Sequence, residues 1–372
     1  AAFDETFFGR DGDDMLYGNG GDDILYGGIG FDTAVYVGAF SNYVITDNGG
    51  VLTIEDMVGT DGTDKVENVE RIEFANGFLE GGVFTSSMMD DTFIGTSAIE
   101  DFNGGGGTDT AEYSASASYI RVDLGSGIGT VGDASGDTYI SIENIIGTNY
   151  SHGDTIYGDA SDNYIQGLAG SDYLEGGAGA DTLDGGAGSI DYARYLRSDS
   201  GVDVDLTRAT QIGGDAEGDV LLSIEALYGS AHDDVLTGNA GNNFINGSGG
   251  NDTLSGGDGS DYLYGNAGDD ILYGGNGVDT LSGGNGADVF VFEAASAFTN
   301  VDTITDFDTA ESDIIDITGL LSGYDPLTDA ISDFVQITDS GSDSILSVVT
   351  DGGADNFVQL ATLLGVTDLT DE

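Results

Sequence analysis

The sequence contains no cysteine and no tryptophan, a single proline, and only seven lysine and arginine residues. Without cysteine the chain can form neither disulfide bridges nor thiolate metal sites. The few basic residues face 68 aspartates and glutamates, and the formal net charge is therefore -61. Nucleic-acid phosphates and anionic lipid surfaces repel a chain of this charge, so we exclude both as partners. No apolar run approaches the roughly 18 residues of a membrane span.

Glycine and aromatic residues are abundant instead. The chain has 64 glycines, 18 tyrosines and 17 phenylalanines, and 39% of its residues are hydrophobic. High charge and a high glycine content favour disorder, but this apolar fraction is too large for a solvated tail. A folded chain with so many carboxylates needs a partner that neutralises them, and a multivalent cation is the first candidate.

A nine-residue repeat organises much of the sequence. From Gly229 to Val291 seven units follow one another without a gap, with the consensus G-G-x-G-x-D-x-U-x, in which U is apolar. The sixth positions hold Asp234, Asn243, Asp252, Asp261, Asp270, Asp279 and Asp288. The eighth positions hold Leu236, Ile245, Leu254, Leu263, Leu272, Leu281 and Phe290. Seven units in one phase strongly indicate a repeat architecture.

The same phase recurs in three earlier blocks. Their sixth positions hold Asp14, Asp23, Asp32, Asp109, Asp154, Asn163, Asp172 and Asp181, and a shifted unit ends at Asp191. The chain begins in the middle of a repeat without an initiator methionine, so we expect it to be a piece of a longer polypeptide. Residues Ala1 to Glu5 lack the basic and apolar regions of a secretory signal.

Longer stretches separate the blocks and are related to each other. Residues 113–147 match 195–229 at a constant offset of 82, and a third version surrounds Asp64 and Glu70. We therefore predict one array of alternating modules. Its segments are a repeat block at 1–35, a β-rich spacer at 36–85, a degenerate block at 86–112, a spacer at 113–148, a block at 149–191, a spacer at 192–228, a block of seven units at 229–291 and a C-terminal segment at 292–372.

The repeat predicts its own fold. Paired glycines permit a tight turn with positive φ, and the last three positions form a short strand whose middle side chain faces inward. Two units then make one coil, and stacked coils give two parallel sheets. The predicted fold class is all-β, an elongated parallel β-roll or β-helix with β-rich spacers and a small β-rich C-terminal cap. One leucine per nine residues buries too little apolar area to offset the ordering of the glycines.

Calcium supplies the missing stabilisation. It prefers six to eight oxygen ligands in a tolerant geometry, and this repeat offers turn carbonyls together with the sixth-position carboxylates. Magnesium demands a stricter octahedron. Zinc prefers histidine or cysteine, and the only histidines are His152 and His232. We therefore predict several bound calcium ions, roughly eight to ten.

These repeats resemble those of the RTX, or repeats-in-toxin, proteins, which are hemolysin-type calcium-binding proteins secreted by the type I pathway. The resemblance covers most of the chain, because the region from Asp288 through Asp302 to Asp316 looks like a C-terminal type I secretion target region. It implies a β-roll that is disordered at cytosolic calcium, folds outside the cell and keeps its export signal. The implied partners are calcium and the type I secretion machinery, and the implied location is extracellular or at the cell surface.

The resemblance also implies the calcium ligands. The implied carboxylate ligands are Asp14, Asp23, Asp32, Asp109, Asp154, Asp172, Asp181, Asp191, Asp234, Asp252, Asp261, Asp270, Asp279 and Asp288. The implied first- and third-position carbonyl ligands are Gly247, Gly249, Gly256, Asp258, Gly265, Ala267, Gly274 and Asn276. Asn163 and Asn243 depart from the pattern, which predicts weaker sites there. The loss of glycines in 86–103 weakens the expectation of calcium in that segment.

Other recurring residues have two interpretations each. Glu70, Glu143 and Glu225 are either spacer calcium ligands or hydrogen-bond acceptors for a turn. The position-five acids, which we interpret as solvated turn residues, include Asp13, Asp22, Asp233 and Asp269. The outward position-nine tyrosines, which are either strand formers or a contact surface for like chains or a cell-surface glycan, are Tyr17, Tyr26, Tyr264 and Tyr273. The two histidines are interpreted as loop residues.

Motifs of catalysis are missing, since the sequence has neither H-E-x-x-H nor G-x-S-x-G. We therefore predict a protein that is not an enzyme. The predicted function is that of a calcium-binding structural module in a secreted bacterial surface protein, contributing to a surface layer, filament or adhesin. The alternative is a C-terminal export and folding module of a larger secreted enzyme or toxin whose catalytic domain lies upstream.

Overall fold

The computed structural model describes residues 4–38, 42–47, 51–57, 62–75, 77–80, 83–86, 90–293, 300–321, 331–349, 357–367 and 369. The chain divides into two compact units, Ala1–Ile146 and Gly147–Glu372, and both are built from short β-strands. Single 3-10 turns occur at Gly132–Ala134, Gly214–Ala216 and Ile331–Asp333. Across the described ranges no helix is long and apolar enough to cross a membrane. The terminal residues Ala1 and Glu372 lie outside these ranges.

Short strands follow one another throughout the first unit. The strands that begin there are β1 (Thr6–Asp11), β2 (Met15–Tyr17), β3 (Ile24–Ile29), β4 (Thr33–Val35), β5 (Tyr43–Asp47), β6 (Val51–Asp56), β7 (Thr63–Glu67), β8 (Arg71–Phe74), β9 (Gly77–Glu80), β10 (Val83–Ser86), β11 (Thr92–Ile94), β12 (Asp101–Asn103), β13 (Thr110–Glu112), β14 (Arg121–Asp123), β15 (Ile128–Val131), β16 (Thr138–Ile140) and β17 (Asn144–Thr148).

The second unit has the same character. Its strands are β18 (Thr155–Tyr157), β19 (Tyr164–Gly170), β20 (Tyr173–Glu175), β21 (Thr182–Asp184), β22 (Ala187–Gly188), β23 (Tyr192–Arg194), β24 (Asp203–Asp205), β25 (Val220–Leu222), β26 (Ala226–Tyr228), β27 (Val235–Thr237), β28 (Phe244–Asn246), β29 (Thr253–Gly259), β30 (Tyr262–Ala267), β31 (Ile271–Gly277), β32 (Thr280–Asn285), β33 (Val289–Val291), β34 (Asp302–Ile304), β35 (Ile314–Asp316), β36 (Val335–Ser340), β37 (Asp343–Val349) and β38 (Phe357–Leu363).

The nine-residue period builds the parallel sheets. Strands 18 residues apart lie side by side, so that Leu254 pairs with Leu272 and Leu263 pairs with Leu281. These four leucines are 0–1% exposed, whereas the residues on either side of them in each strand are half-buried or exposed. Alternate strands therefore belong to two sheets, β24-β27-β29-β31-β33-β35 and β18-β20-β23-β26-β28-β30-β32-β34, with the position-eight side chains between them. These observations confirm the predicted all-β class and the prediction that two nine-residue repeats make one coil.

Pairing continues from the strands into the glycine turns. In β29 and β31 the turn residue Gly257 pairs with Gly275, and Asp258 pairs with Asn276. The sequence predicted strands limited to the last three positions, but this additional pairing lengthens β29 to seven residues. Gly257 has a φ of 101°, and a Cβ at this position would collide with the carbonyl oxygen of Asn239 in the preceding coil. Close stacking at position 257 therefore requires glycine, although Ser248 and Asn266 adopt a φ of 76° at the second position of neighbouring repeats.

Each spacer is an insertion between two adjacent coils. Within or directly before each spacer, two strands separated by the inserted residues are parallel partners, with the pairs Ala34↔Ile72, Ala111↔Ile145 and Ala193↔Leu227. The inserted residues form antiparallel structure, such as β5-β6-β7 in the first spacer and β14-β15-β16 in the second. The coils therefore keep their register across an insertion.

The residues after the last repeat extend both sheets of the second unit. Phe290 in β33 pairs with Ile315 in β35, and Leu281 in β32 pairs with Ile304 in β34. Strand β38 then pairs in parallel with β34 and in antiparallel with β37, which in turn pairs with β36. An antiparallel hairpin thus follows the parallel coils at this edge of the sheet.

Candidate calcium sites

The sixth-position aspartates form hydrogen-bonded ladders along the coils. Oδ1 of Asp252 accepts the backbone N–H of Asp234 at 2.9 Å, and Oδ1 of Asp270 accepts that of Asp252 at 2.7 Å. In the alternate repeats Oδ1 of Asp279 accepts the N–H of Asp261 at 2.9 Å. These five side chains are 0–1% exposed. One oxygen of each accepting carboxylate is therefore held by an N–H of the preceding coil, while the other is available for a different contact.

The second carboxylate oxygen of most of these aspartates is buried and has no hydrogen-bond partner. The oxygens concerned are Oδ2 of Asp14, Asp23, Asp32, Asp109, Asp172, Asp181, Asp252, Asp261, Asp270, Asp279 and Asp288. A buried carboxylate oxygen without a partner is strongly unfavourable, and folded proteins rarely keep one unless an ion or water satisfies it. Its recurrence at one position of the repeat favours a cation beside each of these oxygens.

Each Oδ2 borders the first glycine of its own repeat. A Cβ added to Gly265 would collide with Oδ2 of Asp270 and would lie 2.6 Å from the carbonyl oxygen of Gly283 in the next coil. The same combination of oxygens surrounds Gly229, Gly247 and Gly256. A carboxylate and a carbonyl are the hard donors that calcium prefers, so the residues present fit this ion. Within the described ranges no three His, Asp or Glu side chains converge as a metal cluster, so further ligands must come from the backbone.

Burial makes these carboxylates weaker acids than usual. Desolvation, with a smaller contribution from neighbouring carboxylates, raises the pKa of Asp172, Asp181, Asp252 and Asp261 to about 7. The hydrogen bond to Oδ1 acts in the opposite direction but is outweighed. Near neutral pH these carboxylates therefore carry their charge at a cost, and a divalent cation at Oδ2 would remove that cost.

The first- and third-position residues expected as carbonyl ligands have different surroundings. The first-position carbonyls of Gly247, Gly256, Gly265 and Gly274 each approach the first glycine of the preceding coil. Among the third-position residues, the carbonyl of Ala267 accepts the N–H of Gly250 at 2.9 Å, and Nδ2 of Asn276 donates to Oδ1 of Asp258 at 2.7 Å. Gly249, at the third position, has open space around it. A Cβ added there would lie 3.8 Å from its nearest neighbour, the carbonyl oxygen of Ala267. The first-position carbonyls are therefore the better placed ligands.

Two of the expected ligands belong to the first repeat of a block, and both carboxylate oxygens of each are already hydrogen-bonded. Oδ2 of Asp154 accepts the N–H of Thr148 at 2.6 Å, and its Oδ1 accepts the Thr148 hydroxyl at 3.1 Å. Asp234 is held in the same way by Ser230, with distances of 2.6 and 2.9 Å. These donors occupy lone pairs that are vacant in most of the other repeats.

The two asparagines at the sixth position use their side chains to close the turn. Oδ1 of Asn163 accepts the N–H of Asp159 at 2.9 Å, and Oδ1 of Asn243 accepts the N–H of Asn239 at 2.8 Å. Nδ2 of Asn243 also donates to the carbonyl of Glu225 at 3.1 Å. A neutral amide with these contacts offers calcium less than a carboxylate does, in keeping with the weaker sites predicted there.

Three spacer aspartates that the sequence reasoning did not assign extend the ladders. Oδ1 of Asp64, Asp137 and Asp219 accepts the N–H of Asp23, Glu100 and Asp181 at 2.8, 2.9 and 2.8 Å. Oδ2 of the same residues accepts the hydroxyls of Tyr36, Tyr113 and Tyr195 at 2.9, 2.7 and 3.0 Å. A signal was present in the sequence, because the offset of 82 places Tyr113 on Tyr195 and Asp137 on Asp219.

The C-terminal region supplies two further acceptors that were not predicted. Oδ1 of Asp302 accepts the N–H of Asp279 at 3.0 Å, and Oδ1 of Asp313 accepts that of Asp288 at 3.1 Å. Burial raises the pKa of Asp302 to about 7, as it does for aspartates within the repeats. The ladders therefore continue past the last nonapeptide.

The position-five acids are exposed, as expected, but they are also hydrogen-bonded. Oδ1 of Asp13, Asp22, Asp233 and Asp269 accepts the N–H of Phe31, Thr63, Asn251 and Ala287 at 2.8, 2.9, 2.7 and 2.9 Å. They form a second, solvent-facing ladder beside the buried one. His152 and His232 are both exposed, and the ring of His152 stacks on Tyr150 with a centroid distance of 5.2 Å.

Comparison with known proteins identifies the repeat. The family model of the RTX calcium-binding nonapeptide repeat matches residues 1–34, 153–189, 228–263 and 255–290. A subunit of the mannuronan C5-epimerase from Azotobacter vinelandii is 34% identical over 36% of this chain and 71% of that chain, with a TM-score of 0.21. The extracellular lipase LipA from Serratia marcescens is 16% identical over 98% of this chain and 37% of that chain, with a TM-score of 0.15. No curated protein matches the chain. Four segments of the chain therefore belong to the family of RTX calcium-binding nonapeptide repeats.

Proposed function

We propose that this chain is the structural part of a secreted bacterial surface protein, and that extracellular calcium drives its folding. The observation that carries the proposal is the set of buried Oδ2 atoms that lack a partner at the sixth position of the repeats. Without a cation these oxygens oppose folding, and with one they hold adjacent coils together.

Calcium concentration then acts as the switch. Extracellular calcium modules have dissociation constants of about 10⁻⁴ to 10⁻³ M. A site at about 100 times its dissociation constant stabilises the folded chain by roughly 2.7 kcal/mol, and this term vanishes at submicromolar cytosolic calcium. Inside the cell the chain would stay open, which suits passage through a type I secretion channel. Residues 292–372 would carry the uncleaved export signal.

The outer face of one sheet supports a role in contacts with other molecules. Tyr173 stacks on Tyr192 with a centroid distance of 4.5 Å, and Tyr228, Phe244 and Tyr264 continue the aromatic row with centroid distances of 5.7 and 5.3 Å. These side chains lie on neighbouring strands of the sheet and are half-buried or exposed. Aromatic residues on an exposed face are enriched at binding surfaces, so a structural role in a surface layer, filament or adhesin is proposed rather than catalysis.

Circular dichroism of the isolated chain tests the folding step. We expect thorough removal of calcium to abolish the β signal and millimolar calcium to restore it. An unchanged spectrum without calcium would overturn the proposal. Electron microscopy of the calcium-loaded chain tests the wider role: sheets or filaments support surface assembly, whereas a strictly monomeric chain favours an export and folding module of a larger enzyme or toxin.

A further inference from the structure

In each repeat block that precedes a spacer, one of the hydrogen-bonded ladders ends on a glutamate. Oε2 of Glu70, Glu143 and Glu225 accepts the N–H of Asp32, Asp109 and Asp191 at 2.8, 2.8 and 3.0 Å. The N–H groups of the three glutamates in turn donate to the carbonyls of the same aspartates at 3.1 Å. The glutamate oxygen therefore makes the contact that Oδ1 of the next aspartate makes within a block. These glutamates therefore accept a hydrogen bond from a turn, and because that bond involves only Oε2, it is compatible with their other interpretation as calcium ligands.

The residue two positions before each glutamate supplies a carbonyl in the matching place. A Cβ added to Gly27, Gly104 and Gly185 would collide with the carbonyl oxygens of Asn68, Ser141 and Ser223. Within a block, the carbonyl beside the first glycine comes from the first glycine of the next coil. For example, the carbonyl of Gly283 lies beside Gly265. The carbonyls of the spacers reach it because Asn68, Ser141 and Ser223 have positive φ values of 50°, 50° and 53°. Such values are uncommon for residues other than glycine.

Two of the three aspartates at these joints have an unsatisfied oxygen, whereas Oδ2 of the third, Asp191, lies 2.8 Å from the Cβ position of Gly188. Asp32 and Asp109 are 0% exposed, and Oδ2 of each has no hydrogen-bond partner even though the adjacent coil belongs to a spacer. Oδ2 of Asp32 lies 2.6 Å from the Cβ position of Gly27, beside the carbonyl oxygen of Asn68. The Asp32 and Asp109 joints therefore reproduce the carboxylate, the carbonyl and the buried vacant lone pair that characterise a site inside a block, and the Asp191 joint reproduces the carboxylate and the carbonyl.

We propose that the joints between repeats and spacers are calcium sites of mixed origin, each built from the last aspartate of a block together with a spacer carbonyl and the spacer glutamate. The donor sets are Asp32 with Asn68 and Glu70, Asp109 with Ser141 and Glu143, and Asp191 with Ser223 and Glu225. This inference rests on the proposed calcium-dependent folding and extends it to residues outside the nonapeptide consensus. Calcium then ties each block to the spacer that follows it.

The local chain explains how a spacer imitates a repeat turn. In each spacer a residue with positive φ, an apolar residue and a glutamate follow one another, as in Ser223-Ile224-Glu225. The apolar Ile224 is 4% exposed and anchors the segment in the core, so the carbonyl before it and the carboxylate after it are held beside the preceding coil. A glutamate replaces the aspartate of a repeat, and its longer side chain compensates for the different backbone path of the insertion.

The substitution Glu225→Gln tests the assignment. Glutamine can still accept the N–H of Asp191, so the fold is retained while the charge is removed. The matched control is Glu217→Gln in the same spacer, where Oε2 accepts the N–H of Gly213 at 3.0 Å on the exposed surface. Equilibrium dialysis of the full chain against radioactive calcium should give one bound ion fewer for Glu225→Gln and an unchanged count for Glu217→Gln. The combined variant Glu70→Gln, Glu143→Gln and Glu225→Gln should lose three.

Hydrogen exchange gives a second, local measurement on the same samples. Calcium should slow amide exchange around Asp191 in the native chain but not in Glu225→Gln, while residues 229–291 keep their calcium-dependent protection in both. A native calcium count and native protection at Asp191 in Glu225→Gln would overturn the mixed sites, and so would an equal loss in Glu217→Gln. If the native chain binds no calcium at all, both the mixed sites and the proposed calcium-dependent folding are wrong. If the native chain binds calcium but Glu225→Gln binds just as much, only the mixed sites are wrong.

Discussion

The hydroxyl of Tyr195 donates a 3.0 Å hydrogen bond to Oδ2 of Asp219, the carboxylate oxygen that has no protein partner in most of the repeats. Tyr195 is 2% exposed, and burial beside this carboxylate raises its pKa well above the usual value, so the hydroxyl keeps its proton and remains a donor. The other two spacers contain the same pair. A tyrosine hydroxyl thus occupies, in the spacers, the position at which the repeats need a cation.

Tyr195→Phe should destabilise the calcium-loaded chain. Phenylalanine preserves the packing but leaves Oδ2 of Asp219 buried without a donor, which costs about 1–3 kcal/mol. Urea unfolding at saturating calcium measures the loss. Tyr262→Phe is the control, because Tyr262 is 50% exposed and its replacement should change stability by less than about 0.5 kcal/mol. Equal stability of the two variants would show that the hydrogen bond to Asp219 contributes nothing.

Asp261→Asn should weaken calcium-dependent folding more than Asp233→Asn. Both aspartates use Oδ1 to accept an N–H from another coil, and asparagine can keep that bond. Only Asp261 also has a buried Oδ2 without a partner, and the amide removes its charge. We expect the calcium affinity of that site to fall about tenfold, equivalent to about 1.4 kcal/mol.

The midpoint of a calcium titration followed by circular dichroism makes this comparison. Asp233 is exposed at the fifth position, so its substitution should leave the midpoint close to that of the native chain. A midpoint that moves equally in both variants would remove the distinction between the buried and the exposed ladder.

Gly265→Ala should be far more disruptive than Gly249→Ala. A Cβ at position 265 collides with Oδ2 of Asp270 and lies 2.6 Å from the Gly283 carbonyl, so it displaces oxygens that we assign to calcium. A Cβ at position 249 has its nearest neighbour at 3.8 Å, which is ordinary van der Waals contact. We expect a loss of about 1–3 kcal/mol for the first variant and less than about 0.5 kcal/mol for the second.

Thermal unfolding at several calcium concentrations that all keep the native chain folded separates the two causes of this loss. If the variant has lost a calcium site, its deficit relative to the native chain should grow as calcium rises, because only the native chain gains binding free energy at that site. A deficit that is the same at every calcium concentration would indicate a steric effect unrelated to the metal.

The sequence predicted the parts of the structure that a strict period controls. The nine-residue spacing requires Leu254 and Leu272 to fall on one inner face, and it places every sixth-position aspartate at the same point of a turn. It could not predict that Tyr36 meets Asp64, because these residues are 28 positions apart in a spacer without a period and meet only after the coil has closed. The role of Asp13 was missed for a related reason. Its partner, the N–H of Phe31, belongs to the next coil, and composition alone suggests only a solvated charge.

Acidification should partly replace calcium. Burial raises the pKa of Asp252 and Asp261 to about 7 in the folded chain, from 3.8 in the unfolded chain. The folded state therefore binds more protons between these values, and the stability gained from protonation is complete below about pH 4 and lost as the pH rises through about 7. The calcium-free chain should show more β signal at pH 5 than at pH 8. In the presence of calcium the titration midpoint should instead rise at low pH, since protons and calcium compete for the same oxygens.

Salt provides the control for this pH effect. Acidification also lowers the general repulsion within a chain of net charge -61, which favours folding without any specific site. At about 1 M salt the Debye length is about 3 Å, so repulsion between exposed charges is screened while the desolvation of buried carboxylates persists. A gain of β signal at pH 5 that survives in 1 M sodium chloride belongs to the buried ladder. If high salt alone at pH 8 restores the same signal, general repulsion and not the buried aspartates keeps the calcium-free chain unfolded.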